Sequence, residues 1–221
     1  LGLLAARWLT RRGACALVLA SRGGALARET VGEWAMLHAA HVTTHARRCD
    51  TAEATHAQRL VALTRTSLTG VWHAAGVLAD ALLPKQTAAA LARVYAPKAH
   101  GAWALQRASA PAPLRCCALF SSVAALLGGA GQANYSAANA CLDALASCRR
   151  ARSQVAVSVQ WGAWAEVGMA ARGAASKRMA AMEAASGFGR IGVAQGLAAM
   201  HAAVLSRAPS IMGMVPVAGD L

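Results

Sequence analysis

The chain has 221 residues, 57% of them hydrophobic and only 14% charged, with a mean hydropathy of +0.39. That length and apolar content supply a sizeable core and exclude a disordered chain. Six cysteines (15, 49, 116, 117, 141 and 148) contain no Cys-x-x-Cys pair, which excludes a disulfide-stapled miniprotein and reads as an intracellular, reduced protein, most simply cytoplasmic. The formal net charge is +13, yet only three of the 22 basic residues are lysine (85, 98 and 177). The densest cluster is Arg7, Arg11 and Arg12, with pairs at 47–48 and 149–150. Nucleic-acid binders concentrate charge in stripes or runs, so this pattern argues against one. It suits a phosphorylated cofactor or an acidic carrier protein. From Cys116 to Leu142 no residue carries a formal charge, but Ser121, Ser122, Gln132, Asn134, Tyr135, Ser136, Asn139 and a Gly-Gly-Ala-Gly break exclude a bilayer span. The chain opens on Leu rather than Met, so targeting cannot be read from it.

In chain order, periodicity predicts a helix over 3–12 and a strand over 16–20 that ends at Ser21-Arg22-Gly23-Gly24. A helix at 25–38, a strand at 42–48, a helix at 52–64 and a strand at 70–73 follow. Helix 87–107 leads through Pro111 and Pro113 to strand 114–121. Helix 133–151, strand 155–161, helix 192–206 and strand 211–215 complete the pattern. Alternating strands and helices imply crossovers, hence a doubly wound α/β domain with a parallel sheet covered on both faces. Its ligands belong beyond the carboxyl ends of the strands. No internal repeat or linker appears, so one domain over 1–221 is expected.

The most informative stretch runs from Phe120-Ser121-Ser122 to Asn139. Ser122 closes a strand, and Tyr135 and Asn139 stand four apart on a helix, facing one way. The glycine-containing loop lets that helix start close to the strand end. A convergent Ser, Tyr and Asn could be chemical, or could be a capped helix start beside a core tyrosine. The spacing leaves both readings open.

The run FSSVAALLGGAGQANYSAANACLDALASCRR, with SVQWGAWAEVGMA at 158–170 and HAAGVLADALL at 73–83, resembles the ketoreductase domain of modular polyketide synthases. These belong to the short-chain dehydrogenase/reductase superfamily, with a Rossmann-like fold, and the resemblance covers the chain from Leu1 to about Val217. It implies a catalytic tetrad of Lys98, Ser122, Tyr135 and Asn139, with the lysine on the helix before the Ser122 strand. Tyr135 would be the general acid; free tyrosine titrates near pH 10, at about 10, and a neighbouring cation would lower that. Lys98 would supply the cation and hold the cofactor ribose. Ser122 would hydrogen-bond the substrate carbonyl, and Asn139 would position Lys98.

The same resemblance assigns Gly2, Ser21, Arg22, Asp50, Ala74, Ala75 and Gly76 to cofactor binding. Gly2 matches only the end of the family's glycine-rich turn, so the first strand and most of that turn are expected to be missing. A chain lacking them is expected to be poorly soluble alone and to bind NADPH weakly. Arg22 matches the contact to the 2′-phosphate and favours NADPH over NADH; Asp50 matches the adenine contact, and Ala74-Ala75-Gly76 the turn near the ribose. For substrate and stereocontrol it points to Asp80, Asn134 and Trp164. Leu78-Ala79-Asp80 keeps the second aspartate of the family's Leu-Asp-Asp signature, and Leu127 stands where the opposite class carries tryptophan. Both favour the B-type, (3R) product. Trp164 matches a residue that touches the pantetheine arm.

The expected activity is NADPH-dependent reduction of a β-ketoacyl thioester on the phosphopantetheine arm of an acyl carrier protein, in polyketide or fatty acid biosynthesis. Other polyketide synthase domains are the implied partners, with no nucleic acid and no membrane. The competing readings are a catalytically silent structural fragment and a free-standing short-chain reductase of a small ketone. His38, His41, His45 and Cys49 would make a metal stripe on a helix. In the ketoreductase register 42–48 is a strand, which separates His38 from His45, so no metal is expected.

Overall fold

A computed structural model describes residues 1–24, 31–39, 42–64, 67–168, 187–205 and 207–217. The first half comprises α1 (Gly2–Arg11), β1 (Ala16–Ser21), α2 (Val31–Ala39), β2 (Thr43–Arg48), α3 (Ala54–Ala62) and β3 (Gly70–His73). Then come α4 (Ala88–Tyr95), α5 (Gly101–Ser109), β4 (Cys116–Ser122), α6 (Ala124–Leu127) and α7 (Ala133–Ala151). The last are β5 (Val157–Trp161), α8 (Val193–Ala203) and β6 (Ile211–Met214). Residues 25–30 of the expected second helix and His41 lie outside the described residues. His38 belongs to α2 and His45 to β2, so the histidine series does not share one helix. Among the described residues no His, Cys, Asp or Glu cluster could hold a metal, and no helix is long and apolar enough to cross a membrane.

Among the described residues the named strands pair in parallel, as the alternating pattern requires, and an isolated bridge between Phe188 and Val217 is antiparallel. They form a four-stranded sheet, β3-β4-β5-β6, and a two-stranded sheet, β1-β2. Leu17, Val18 and Leu19 of β1 are therefore only half-buried, although the sequence reads as a core strand.

Strand alternation sorts the core of the larger sheet. Ala118 and Phe120 of β4 point to one face, with Leu4 and Trp8 of α1, Val159 and Trp161 of β5, Ile191, and Met200 of α8. Cys117 and Leu119 point to the other face, with Ala102 of α5 and Leu142 and Ala146 of α7. On the first face an aromatic chain crosses the strands. Ring centroids lie 5.5 Å apart for Trp8–Trp72, 6.3 Å for Trp72–Phe120, 5.6 Å for Phe120–Trp161 and 5.0 Å for Trp161–Trp164. Such tilted and edge-on pairs add to what area burial alone contributes.

Two local features differ from the periodicity. The helix expected over 87–107 is interrupted by a π-turn, Ala96–His100, which contains Pro97. Proline has no N–H to donate, so the chain widens there rather than continuing an α-helical ladder. That turn carries Lys98. The segment after Ser122, expected as loop, forms the single-turn α6, ended by Gly128 at φ 75°. Gly131 then lies against the backbone of Ala81, and its φ of 74° is the backbone conformation that favours glycine.

Candidate active site

The carboxyl ends of the strands gather most of the residues singled out from the sequence. Ser21 and Arg22 follow β1, Asp50 follows β2, Ala74-Ala75-Gly76 follows β3, and Ser122 ends β4. Gly2 opens α1, whose first turn has neither a side-chain cap nor an acidic residue. Ser21 Oγ accepts the Gly24 N–H at 3.1 Å, and Asp50 Oδ1 accepts the Ala52 N–H at 3.1 Å. Arg22 is exposed, as is Arg48 at the end of β2. Gly24, at φ 68°, brings its loop so close that a Cβ there would sit 2.7 Å from that of Arg48. The sequence had not singled out Arg48, because its relation to Arg22 depends on β1–β2 pairing.

The tetrad converges. Burial raises the Tyr135 hydroxyl above its ordinary value; the polar side chains of Asn139 and Ser122 beside it pull the other way, and the charge of Asp80 adds to the rise. Lys98 Nζ stands 5.4 Å from the centre of the Tyr135 ring and donates to the Phe120 carbonyl at 3.0 Å. The lysine is only 3% exposed. Burial pushes it down to about 8, against the opposing charge of Asp143. It passes beside Gly76, where a Cβ would lie 2.9 Å from Lys98 Cε. The glycine after β3 is thus what leaves room for the lysine.

The expectation that a cation brings the tyrosine down is not what governs here. Burial dominates, so Tyr135 stays a protonated donor at neutral pH. Asn139 is fully buried on α7; its Nδ2 donates to the Tyr135 backbone carbonyl at 2.8 Å, and its Oδ1 has no partner. Ser122 Oγ accepts the Ala124 N–H at 3.2 Å, which holds the side chain at the start of α6.

The positions expected to touch substrate divide. Asp80 is half-buried, with Gln132 Nε2 at 3.5 and 3.4 Å from its two carboxylate oxygens. Asn134 is buried and occupied structurally: its Nδ2 donates to Ala79 O at 2.9 Å, while its Oδ1 accepts the Tyr135 N–H at 2.7 Å. Together with Ala81 N–H donating to Gly131 O at 2.9 Å, these bonds fasten the loop after β3 to the start of α7. Trp164, expected at the pantetheine arm, is 3% exposed and packs into the core beside Trp161 and over Gly196. Its placement is that of a core side chain, because the aromatic chain of the sheet face ends on it.

Two buried polar groups beside the tetrad went unnoticed in the sequence. His73, at the end of β3, is pushed down to about 4, chiefly by burial and then by the charge of Lys98; the carbonyls of Lys98 and Pro97 partly offset this. Asp143 lies one helical turn beyond Asn139 and accepts from Ser158 Oγ at 2.6 Å and Gln160 Nε2 at 2.8 Å. Its spacing of four from Asn139 and eight from Tyr135, on the apolar face of α7, was the available signal.

The family model for the KR domain matches residues 1–166. Solved structures with the same fold include one described as an A1-type ketoreductase, at TM-score 0.88 and 34% identity over 98% of this chain and 45% of that one. A ketoreductase domain from the bacillaene assembly line superposes at TM-score 0.88 with 27% identity, over 97% of this chain and 52% of that one. In sequence the chain is 42% identical over 209 residues to polyketide synthase GfsB of Streptomyces halstedii, which is 94% of this chain and 4% of that protein. It is also 42% identical over 173 residues to the phthioceranic/hydroxyphthioceranic acid synthase of Mycobacterium bovis, 77% of this chain and 8% of that one. The chain therefore spans less than a tenth of the length of these two relatives. With its parallel Rossmann-like fold and this match over most of its length, the chain belongs to the KR domain family, the ketoreductases of polyketide synthases.

Proposed function

We propose that this domain reduces a β-ketoacyl thioester, carried on the phosphopantetheine arm of an acyl carrier protein, to the (3R)-hydroxyacyl thioester, with NADPH as the reductant. Other domains of a polyketide synthase would supply the substrate and take the product. The observation that carries this reading is the convergence of Ser122 and Asn139 on the Tyr135 hydroxyl, with Lys98 over the ring.

When bound, NADPH supplies the hydride that reaches the ketone carbon. The residues present fit such a group: the uncapped start of α1 suits the pyrophosphate, and Arg22 with Arg48 suits a 2′-phosphate. Gly76 lies beside the Lys98 side chain, where a ribose would meet the ammonium. Ser122 Oγ accepts the Ala124 N–H and lies beside the Tyr135 hydroxyl, so its own proton would be available to a ketone oxygen bound there. It would hold the ketone oxygen and favour the negative charge that grows there. Tyr135 would then pass its proton to that oxygen in place. Lys98 would stabilise the phenolate left behind, and Asn139 fixes the helix turn that presents Tyr135. The (3R) outcome rests on Asp80 being retained and held by Gln132 on one side of the site.

The test follows NADPH consumption with a simple β-ketoacyl thioester, beside Tyr135→Phe. The variant is expected to lose about 100-fold or more in kcat while still binding NADPH. Equal turnover in both proteins would overturn the assignment of Tyr135. Bound NADPH with no turnover in either would favour a silent scaffold domain. Chiral analysis of the product decides (3R) against (3S).

A further inference from the structure

Asp143 is the charged group that the reaction outlined above leaves without a task. It is 7% exposed, and its two oxygens take the Ser158 hydroxyl and the Gln160 amide, both from β5. Ser158 is fully buried and Gln160 nearly so. Burying a carboxylate among neutral donors is costly, and a well-packed apolar side chain would do the same packing without that cost. On the same face of α7 stand Asn139 and Tyr135, one and two turns earlier. The Ser121 hydroxyl donates to the Asn139 backbone carbonyl at 3.3 Å, a second tie between α7 and the sheet in this stretch.

We propose that Asp143 is a positioning residue of this site: its carboxylate bolts α7 to β5 through Ser158 and Gln160. The bolt fixes the height of Tyr135 and Asn139 over β4. The role of Tyr135 in turnover rests on the reductase reading; its placement does not.

The test uses two readouts. The chain has only two tyrosines, 95 and 135, so labelled rings give few signals, and the one lost in Tyr135→Phe identifies Tyr135. Ser158→Ala keeps the carboxylate and removes the shorter bond, and covers the case in which Asp143→Asn does not fold. Both variants should move the Tyr135 ring signal and lower kcat by about 10-fold, while KM changes less than about threefold. Unchanged kcat with an unmoved ring signal in Ser158→Ala overturns the bolt. A moved signal with no turnover in any form, the parent included, would instead count against the reductase reading.

Discussion

Lys98 and Phe120 are joined by a 3.0 Å hydrogen bond from the lysine ammonium to the phenylalanine carbonyl, in the interior between the π-turn and β4. The bond holds the cation at the strand that ends in Ser122, so one backbone group sets the spacing between two members of the tetrad. It also keeps a charge where water cannot reach it. Burial depresses Lys98 to about 8 from the ordinary 10.5, so the protonated lysine costs folding free energy below that pH. The unfolded chain binds more protons between about 8 and 10.5, and this contribution to stability rises with pH through that window.

Lys98→Met is accordingly expected to stabilise the chain by on the order of 1–2 kcal/mol at pH 7, while abolishing reduction. Urea melts at pH 7 check it. A variant less stable than the parent would show that the Phe120 bond outweighs the burial cost.

Gly76→Ala should displace the lysine rather than unfold the domain. The new Cβ meets Lys98 Cε at 2.9 Å and Nζ at 3.4 Å, both in a side chain that can swing. We expect a loss of about 10-fold in kcat with a stability change under about 1 kcal/mol. Steady-state kinetics with thermal melts separates the two, and a large drop in melting temperature with normal kcat would refute it.

His73 gives an acid limb. Its folded value, about 4, lies below the ordinary 6.5, so the unfolded chain takes up a proton that the folded chain refuses. Stability is therefore lost as pH falls from about 6.5 to 4, by roughly 3 kcal/mol at most. Melts of His73→Gln across that range should fall less steeply than those of the parent; parallel curves would remove His73 from the account.

Gly196→Ala tests the core beneath the site. A Cβ at this position in α8 would collide with the six-membered ring of Trp164, which is locked by Trp161 and the sheet. Overpacking of this kind costs about 1–3 kcal/mol. Pairing it with Trp164→Leu should recover part of the loss, and a neutral Gly196→Ala would mean that the tryptophan is free to move.

Much of the chain was legible beforehand. The strands at 70–73 and 42–48 and the helix at 133–151 follow from β-branched runs and helical spacing, and the structure has them at Gly70–His73, Thr43–Arg48 and Ala133–Ala151. Ser122, Tyr135 and Asn139 share a local stretch, so strand end, glycine break and helix period bring them together. Lys98 was placed by resemblance alone. The π-turn that turns it inward comes from Pro97 acting within a helix whose periodicity looks continuous.

What the sequence determined by itself is what short-range chemistry decides: parallel α/β elements, the strand-end serine, and the four-residue step from tyrosine to asparagine. Tertiary structure alone decided the rest. It buried Trp164 rather than presenting it, occupied Asn134 with the backbone of Ala79, and divided the strands into two sheets. It also set Asp143 against β5 and Lys98 against Phe120. The reason is that burial and charge pairing depend on groups far apart in the chain, which no local periodicity encodes, and these long-range terms set the protonation of the site.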